Sequence, residues 1–461
     1  MNHKNFSRFS RVALVFIFSV FSFISCTKKL TPEQIEEQRL LKEKQRNEAI
    51  AQAKENAISE YVASLSDAVR ISQLFLVNIE GNNKYHSVEK TGSLYGKYGE
   101  GEPLVPGGVL LFSYNVSKDP LETYEFIKSI HDFYVENNNL PPYVSVDQEG
   151  GDVNRLRGLT SVLWSQKKVA DSFAADKARL LYEAQARQMR NLGFHLNLAP
   201  VAEVLTEQNK DFLDTRSFGN LETVLSYGEI AVKSYEENGI GVVLKHFPGN
   251  SNADPHVGLP KIIFEKSERD IYLKPFEKLL PESSAVLMSH AIMKPKEEEN
   301  DAKYGMPACF SSQWIQQTAR KEFGFTGLIF SDDIFMGALA KNDYPPEKAC
   351  VEAVKSGVDV IMLSEKKFGR VAGILLSKAS EDADFAKEIT RAATNVIRYK
   401  LKAGILELIE KTEMVGTAET ANAEKENAEI PVFEVRVKGE YAEFDLKKFD
   451  EDYKAGMNAY N

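Results

Sequence analysis

Eight short runs of apolar, largely β-branched residues recur along this chain: Leu74–Ile79, Gly108–Phe112, Tyr143–Val146, His195–Leu198, Gly241–Leu244, Ala285–Met288, Gly327–Phe330 and Val358–Leu363. They are too short for helices and apolar throughout, the pattern of a strand buried on both faces. Stretches of helical periodicity, such as Asp171–Leu192 and Leu221–Gly239, lie between most of them. Parallel strands need crossover connections, and eight strand-then-helix units are the number that closes a (β/α)8 TIM barrel. An open doubly wound sheet is the alternative, but no Gly-x-Gly-x-x-Gly follows the first strand. The predicted fold is therefore an α/β barrel over residues 61–407.

The flanks are different in kind. Lys4, Arg8 and Arg11 precede an apolar run from Val12 to Ile24, which is the length of a signal-peptide core. The run ends Phe23-Ile24-Ser25-Cys26, so residues 1–25 read as a leader cleaved before Cys26, whose sulfur would carry a lipid. Residues 26–60 are dense in Glu, Lys, Gln and Ala, with Thr31-Pro32-Glu33 as a helix start. Either as a helix or as a disordered charged linker, this stretch would tether the barrel to a membrane. Past the barrel, residues 408–461 form a linker rich in Ala, Glu, Thr and Asn. A strand pattern at Val432–Val437 and a helix pattern at Phe444–Tyr453 come after it, too small together for a core of their own.

Charge narrows the partners. The chain has 57 basic and 67 acidic residues, a net charge of −10, and loses three positive charges more with the leader. A nucleic-acid partner would call for a basic surface. Cys309 and Cys350 read as packing residues, and no Cys/His spacing suggests a metal.

Polar residues follow the strand patterns again and again. The third run leads into Asp147-Gln148-Glu149-Gly150-Gly151-Asp152-Val153-Asn154-Arg155, and the fourth into Ala199-Pro200-Val201 and then Arg216-Ser217-Phe218. The fifth gives Lys245-His246-Phe247-Pro248-Gly249 and then Asp254-Pro255-His256. The sixth gives Ser289-His290 and the seventh Asp332-Asp333. In a barrel these all meet at the carboxyl end of the strands. No Gly-x-Ser-x-Gly elbow, thiol–imidazole pair or phosphate loop is present. The set suits glycoside hydrolysis, which needs one group to attack or stabilise an oxocarbenium-like carbon and another to protonate the leaving oxygen. Asp332 fits the first role. His256 fits the second, its basicity raised by Asp254. Asp147, Arg155, Arg216 and Lys245 suit charge-assisted hydrogen bonds to sugar hydroxyls.

In this order and at these strand ends, K-H-F-P-G, D-x-H, D-Q-E-G-G-x-V-x-R-L, R-S-F-G, A-P-V and S-D-D resemble the family 3 glycoside hydrolases. The Asp-x-His loop points to their β-N-acetylglucosaminidase (β-N-acetylhexosaminidase) branch. The resemblance covers about residues 66–405. It implies a (β/α)8 barrel, retention of configuration, no metal and no cofactor. It also implies Asp332 as nucleophile, His256 with Asp254 as mobile acid/base, and Asp147, Arg155, Arg216, Lys245 and His246 around an N-acetylglucosamine ring. Asp333 is supporting, His290 a core or supporting histidine, and Glu149 a residue that holds its loop.

The loop after Lys245 departs from the family. Asn250-Ser251 replace His-Gly, the segment to His256 is shorter, Pro255 stiffens it, and Glu203 stands where Asp is usual. The expected activity is exo-hydrolysis of β-linked N-acetylglucosamine from peptidoglycan fragments or other envelope or host glycans, by a lipoprotein of the bacterial cell envelope. Two other readings stay open: a β-N-acetylglucosaminide phosphorylase, because an imidazole acid/base would not repel phosphate, and a degenerate barrel serving as a glycan-binding or scaffolding lipoprotein.

Overall fold

The computed structural model describes residues 31–85, 96–97, 103–253, 258–298, 301–411 and 430–461. Cys26 and the apolar run before it lie outside them. The chain divides into two compact units, one ending at Ala51 and one running from Gln52 to Asn461. In the first, residues 32–51 are helical and mostly exposed, part of a helix α1 (Pro32–Ser64) whose start is the Pro32 expected from the sequence. The second unit contains the barrel.

All eight predicted strands form. They are β1 (Phe75–Asn78), β2 (Gly108–Leu111), β3 (Tyr143–Val146), β4 (Leu196–Asn197), β5 (Gly241–Phe247), β6 (Ala285–Met288), β7 (Leu328–Ser331) and β8 (Ile361–Ser364). They make one parallel sheet in the order β7-β6-β5-β4-β3-β2-β1-β8. Between its outer strands, Ser331 N donates to Val360 O at 2.9 Å and Asp359 N to Ile329 O at 2.8 Å, drawing the sheet into a barrel. Helices lie between and after the strands: α2 (Pro120–Glu136), α3 (Ala175–Asn191), α4 (Leu221–Glu237), α5 (Arg269–Leu279), α6 (Pro346–Ser356), α7 (Phe368–Glu381) and α8 (Ala383–Lys402). Short polar residues start them. Asp119 accepts from Leu121 N and Glu122 N ahead of Pro120, and Asn220 caps α4 through Thr223 N.

The alternation along each strand explains the unbroken apolar runs. Leu76, Leu110, Tyr143, Val243, Leu287, Leu328 and Phe330 fill the barrel, while Phe75, Val77, Val109, Leu111, Val144 and Val146 turn outward to the helices. Tyr399 of α8 plugs the amino-terminal end, its ring 5.4 Å from that of Tyr143 and its hydroxyl donating to His195 O at 2.9 Å. Only glycine fits at 108, since a Cβ there would stand 2.3 Å from the Tyr143 ring. Beyond the barrel, β9 (Leu406–Lys411) pairs antiparallel with β10 (Val432–Val437), and α9 (Leu446–Asn458) packs along α3. The tail is thus docked on the barrel.

Candidate active site

The carboxyl end of β3 runs directly into a small hairpin, Gln148–Gly150 against Val153–Asn154. Its turn demands glycine, because Gly150 and Gly151 both have positive φ and a Cβ on Gly150 would meet Trp164 O at 2.2 Å. Side-chain amides hold the hairpin on the barrel. Asn197 of β4 accepts from Gln148 N at 3.0 Å and donates to Gln148 O at 3.1 Å. Gln148 accepts from Leu156 N and donates to Asn154 Oδ1. Asp147 and Glu149 are thereby aimed at the mouth from a braced backbone.

Lys245 reaches them from β5. Its Nζ lies 2.6 Å from Asp147 Oδ1 and 2.5 Å from Glu149 Oε1. Arg216 closes the other side of Glu149 with a bidentate bond, Nε to Oε2 at 2.8 Å and Nη2 to Oε1 at 2.9 Å. Burial alone would raise the Glu149 carboxyl, but Lys245 and Arg216 pull it down to about 2. Asp147 goes the other way: burial raises it, Lys245 lowers it, and the charge of Glu149 raises it again. Burial works against the Arg216 charge, yet its bond to Glu149 raises it on balance. Arg155 lies at the edge, with Nη2 3.9 Å from Asp147 Oδ2 and its guanidinium 5.4 Å from the Phe112 ring centre.

Exposure sorts this cluster. The side chains of Glu149 and Lys245 are 1% and 3% exposed, whereas Asp147, Arg216 and Arg155 are 20%, 21% and 29% exposed. Two members form a sealed floor and three form the rim.

His246 is next along β5. Glu203 Oε1 lies 2.7 Å from its Nδ1 and accepts its backbone N–H at 3.1 Å, while Glu203 Oε2 accepts from Asn250 N at 2.6 Å. A carboxylate only accepts, so Nδ1 is the nitrogen that donates to Glu203. Phe212 links the two groups, with its ring 5.9 Å from that of His246 and 5.3 Å from the Arg216 guanidinium. The structure therefore brings Asp147, Arg155, Arg216, Lys245 and His246 into one contiguous patch.

Asp332 follows β7 at the same end of the barrel, half-buried, its Oδ1 accepting from Asp333 N at 2.8 Å. Asp333 folds back onto Phe335 N at 2.8 Å. His290, buried, braces this turn from β6, with Nε2 3.0 Å from Asp333 O and Nδ1 3.3 Å from Cys309 Sγ. Asp254 and His256 lie outside the described residues. The near side of their loop is anchored, since Asn252 N donates to Gln208 O at 2.6 Å and Asn252 Oδ1 accepts from Asp211 N at 2.8 Å. A cavity of about 510 Å³ lies at the opposite end of the barrel, lined by Arg187, Arg190, His195 and Tyr441, away from these groups.

The residues that sequence reasoning undervalued are Glu203 and Glu149. Glu203 stood out only as a departure from the family pattern, and its pairing with His246 spans 43 positions.

Comparison with known proteins agrees with this architecture. The model of the glycosyl hydrolase family 3 N-terminal domain matches residues 102–398. The β-hexosaminidase A of Pseudoalteromonas piscicida is 27% identical over 279 residues, covering 56% of this chain and 45% of that protein. The β-hexosaminidase of Idiomarina loihiensis is 29% identical over 262 residues, covering 54% of this chain and 76% of that one. The chain thus spans less than half the length of one of these relatives and about three quarters of the other. In fold, it is similar to a family 3 β-N-acetylglucosaminidase from Paenibacillus sp. str. FPU-7, with a TM-score of 0.65 at 21% identity over 86% of this chain and 68% of that one. With the matched segment spanning more than half of its length, the chain belongs to glycosyl hydrolase family 3.

Proposed function

We propose that this protein is a retaining exo-β-N-acetylglucosaminidase acting on peptidoglycan fragments or other envelope or host glycans. The observation that carries this reading is the graded ionic cluster at the barrel mouth. Glu149 and Lys245 are sealed below, while the Asp147 carboxylate and the Arg155 and Arg216 guanidinium groups stay open to a ligand. A rim of both charge signs, held rigid from beneath, is suited to a neutral polyol, because each hydroxyl both donates and accepts. Lys245, its ammonium bonded to Asp147 and Glu149, fixes the rim carboxylate from beneath, and His246 stands next to it on β5. The β-hexosaminidase names of the sequence relatives support N-acetylhexosamine as the ring held there.

The reaction follows the two-carboxylate logic with one partner replaced. The Asp332 carboxylate attacks the anomeric carbon as the glycosidic C–O bond breaks, and protonated His256 gives its proton to the leaving oxygen. Neutral His256 then takes a proton from water, whose oxygen attacks the same carbon and releases Asp332. Asp254 steadies the imidazolium in the first step. Two inversions give retention.

Hydrolysis of an aryl β-N-acetylglucosaminide beside an aryl β-glucoside, with Asp332→Ala as control, tests the reading. Release from the first substrate alone, lost in the variant, is the expected result, with the β-anomer formed first by proton NMR. Equal release by the variant would overturn the role of Asp332. We further propose a lipid anchor on Cys26, for which Cys26→Ser should move the protein out of the membrane fraction.

A further inference from the structure

At the carboxyl ends of β1 and β2 stands an aromatic surface that the chemistry above leaves unused. Phe112 and Tyr114 are stacked, with centroids 5.8 Å apart and planes 7° apart. Phe112 covers one face of Tyr114, which nevertheless remains 53% exposed. The Tyr114 hydroxyl accepts from Asn78 Nδ2 at 3.3 Å. Below, the buried Asn115 accepts from Phe112 N at 2.8 Å and donates to Ile79 O at 3.0 Å and Gly81 O at 2.7 Å. These bonds tie the segment after β2 to the segment after β1. The platform is thus held in place without a ligand, which lowers the ordering cost of binding one.

Its position says what it would bind. Arg155 spans from Asp147, at 3.9 Å, to the Phe112 ring, at 5.4 Å. The platform begins where the sugar-gripping rim ends, and Tyr114 extends it from Phe112 by a centroid spacing of 5.8 Å, the scale of a single sugar ring. A β-linked hexopyranose with equatorial substituents presents a face of axial C–H bonds. Their slight positive charge suits the negative face of an aromatic ring, while the ring-edge hydroxyls reach neighbouring amides and guanidinium groups.

We propose that Tyr114, backed by Phe112 and oriented by Asn78, is the stacking surface for a second β-linked hexopyranose ring of the glycan, adjoining the one held at Asp147 and Arg155. The proposal rests on the carbohydrate reading above and assigns Tyr114 to recognition of the neighbouring ring, not to bond cleavage.

Calorimetric titration of the Asp332→Ala protein, used to suppress turnover, with N-acetylglucosamine and with its β-1,4-linked dimer tests it. The dimer should bind about three- to tenfold more tightly, the scale of one aromatic stacking contact. Tyr114→Ala should erase that advantage and leave the affinity for the monosaccharide unchanged, while Tyr114→Trp should keep it. Two results would overturn the platform: a dimer bound no more tightly than the monosaccharide, or a Tyr114→Ala protein in which the advantage persists or both affinities fall together. Preference for cellobiose over the N-acetylated dimer, with the same dependence on Tyr114, would keep the platform and overturn the N-acetylhexosamine reading instead.

Discussion

Glu149 shows what a single carboxylate does in this site. It is sealed from solvent and bonded by Lys245 and by both nitrogens of one edge of Arg216, so it sets the position of one cation beneath the rim and one on it. Replacing it with an amide leaves two buried or half-buried cations short of a counter-charge, a loss of about 3–5 kcal/mol for a broken buried pair. Glu149→Gln should therefore lower the melting temperature and raise KM at least tenfold, measured by thermal unfolding and by aryl-glycoside kinetics. The pH dependence follows from its lowered value of about 2. Its contribution is present above the ordinary glutamate range near 4.3 and is lost as pH falls from there toward 2. The variant should show a flatter acid limb between those limits. Lys400 works in the opposite sense. It is fully buried, its ammonium donates to Gln73 Oε1 at 2.5 Å, and burial lowers it to about 7. A lysine lowered in the fold costs stability wherever the unfolded chain would hold the proton. That cost is fully present below about pH 7 and disappears as pH rises toward 10.5. Stability should thus rise across that window, and Lys400→Met should remove the slope, read as melting temperature against pH relative to the parent.

Among the elements, the tail is the one whose purpose emerges from packing alone. Asp452 of α9 accepts from Arg187 Nε at 2.5 Å, and Tyr460 sets its ring edge-on to Trp164 at 4.7 Å and Phe173 at 5.2 Å. Its hydroxyl donates to Val162 O at 2.8 Å. One residue further on, Leu163 O accepts from Gly151 N at 3.2 Å and from Asn154 Nδ2 at 3.3 Å, inside the hairpin between Asp147 and Arg155. The tail therefore braces the arm that carries the rim. Tyr460→Ala should speed amide exchange over residues 151–165 and raise KM more than it changes kcat, with protein otherwise folded by circular dichroism. The same region shows where sequence patterns stop. The barrel strands were readable because both faces are buried, which leaves a continuous apolar run. The single helix expected at Asp171–Leu192 is two, Gln166–Ser172 and α3, because Phe173 turns extended to pack beneath Trp164 and Tyr460. No proline or glycine marks that break, and its cause lies almost 300 positions away. Likewise β5 runs to Phe247 and not only to Leu244, since Lys245 pairs with Val201 and Phe247 O accepts from Ser289 N at 2.7 Å. Strand-end chemistry was legible as a list of groups, whereas the pairing of Glu203 with His246 depends on the register between the segment after β4 and the end of β5.

At the scale of the molecule, the barrel separates what holds it together from what it does. Toward the amino-terminal end, where β7 and β8 meet, Asp359 is completely buried and accepts from Arg320 at 2.6 Å, Arg391 at 2.5 Å, Asn395 at 2.9 Å and Ile329 N at 2.9 Å. Those bonds join the segment between β6 and β7 to α8 across the seam that draws the sheet into a barrel, so Asp359 is a closure residue. Asp332 is reached from the same strand pair, at the other end, and among the described residues its hydrogen-bond donor is the backbone N–H of its own neighbour Asp333. A carboxylate kept this lightly bonded at a half-exposed position contributes little to folding, because exposed or singly bonded groups have little to lose on removal. Two aspartates a strand's length apart should then give opposite phenotypes. Asp359→Ala takes the buried counter-charge from Arg320 and Arg391, which keep only backbone carbonyls and Glu388, and strips the Ile329 N–H of its acceptor, costing about 3–5 kcal/mol and several degrees of melting temperature. Whatever protein remains folded should keep a near-parental KM. Asp332→Ala should melt within a degree or two of the parent and lose hydrolysis. Melting curves and kinetics on the two variants side by side decide the matter. If Asp332→Ala unfolded as readily as Asp359→Ala, its carboxylate would be a fold-closing group, and the assignment of the nucleophile to β7 would fall with it.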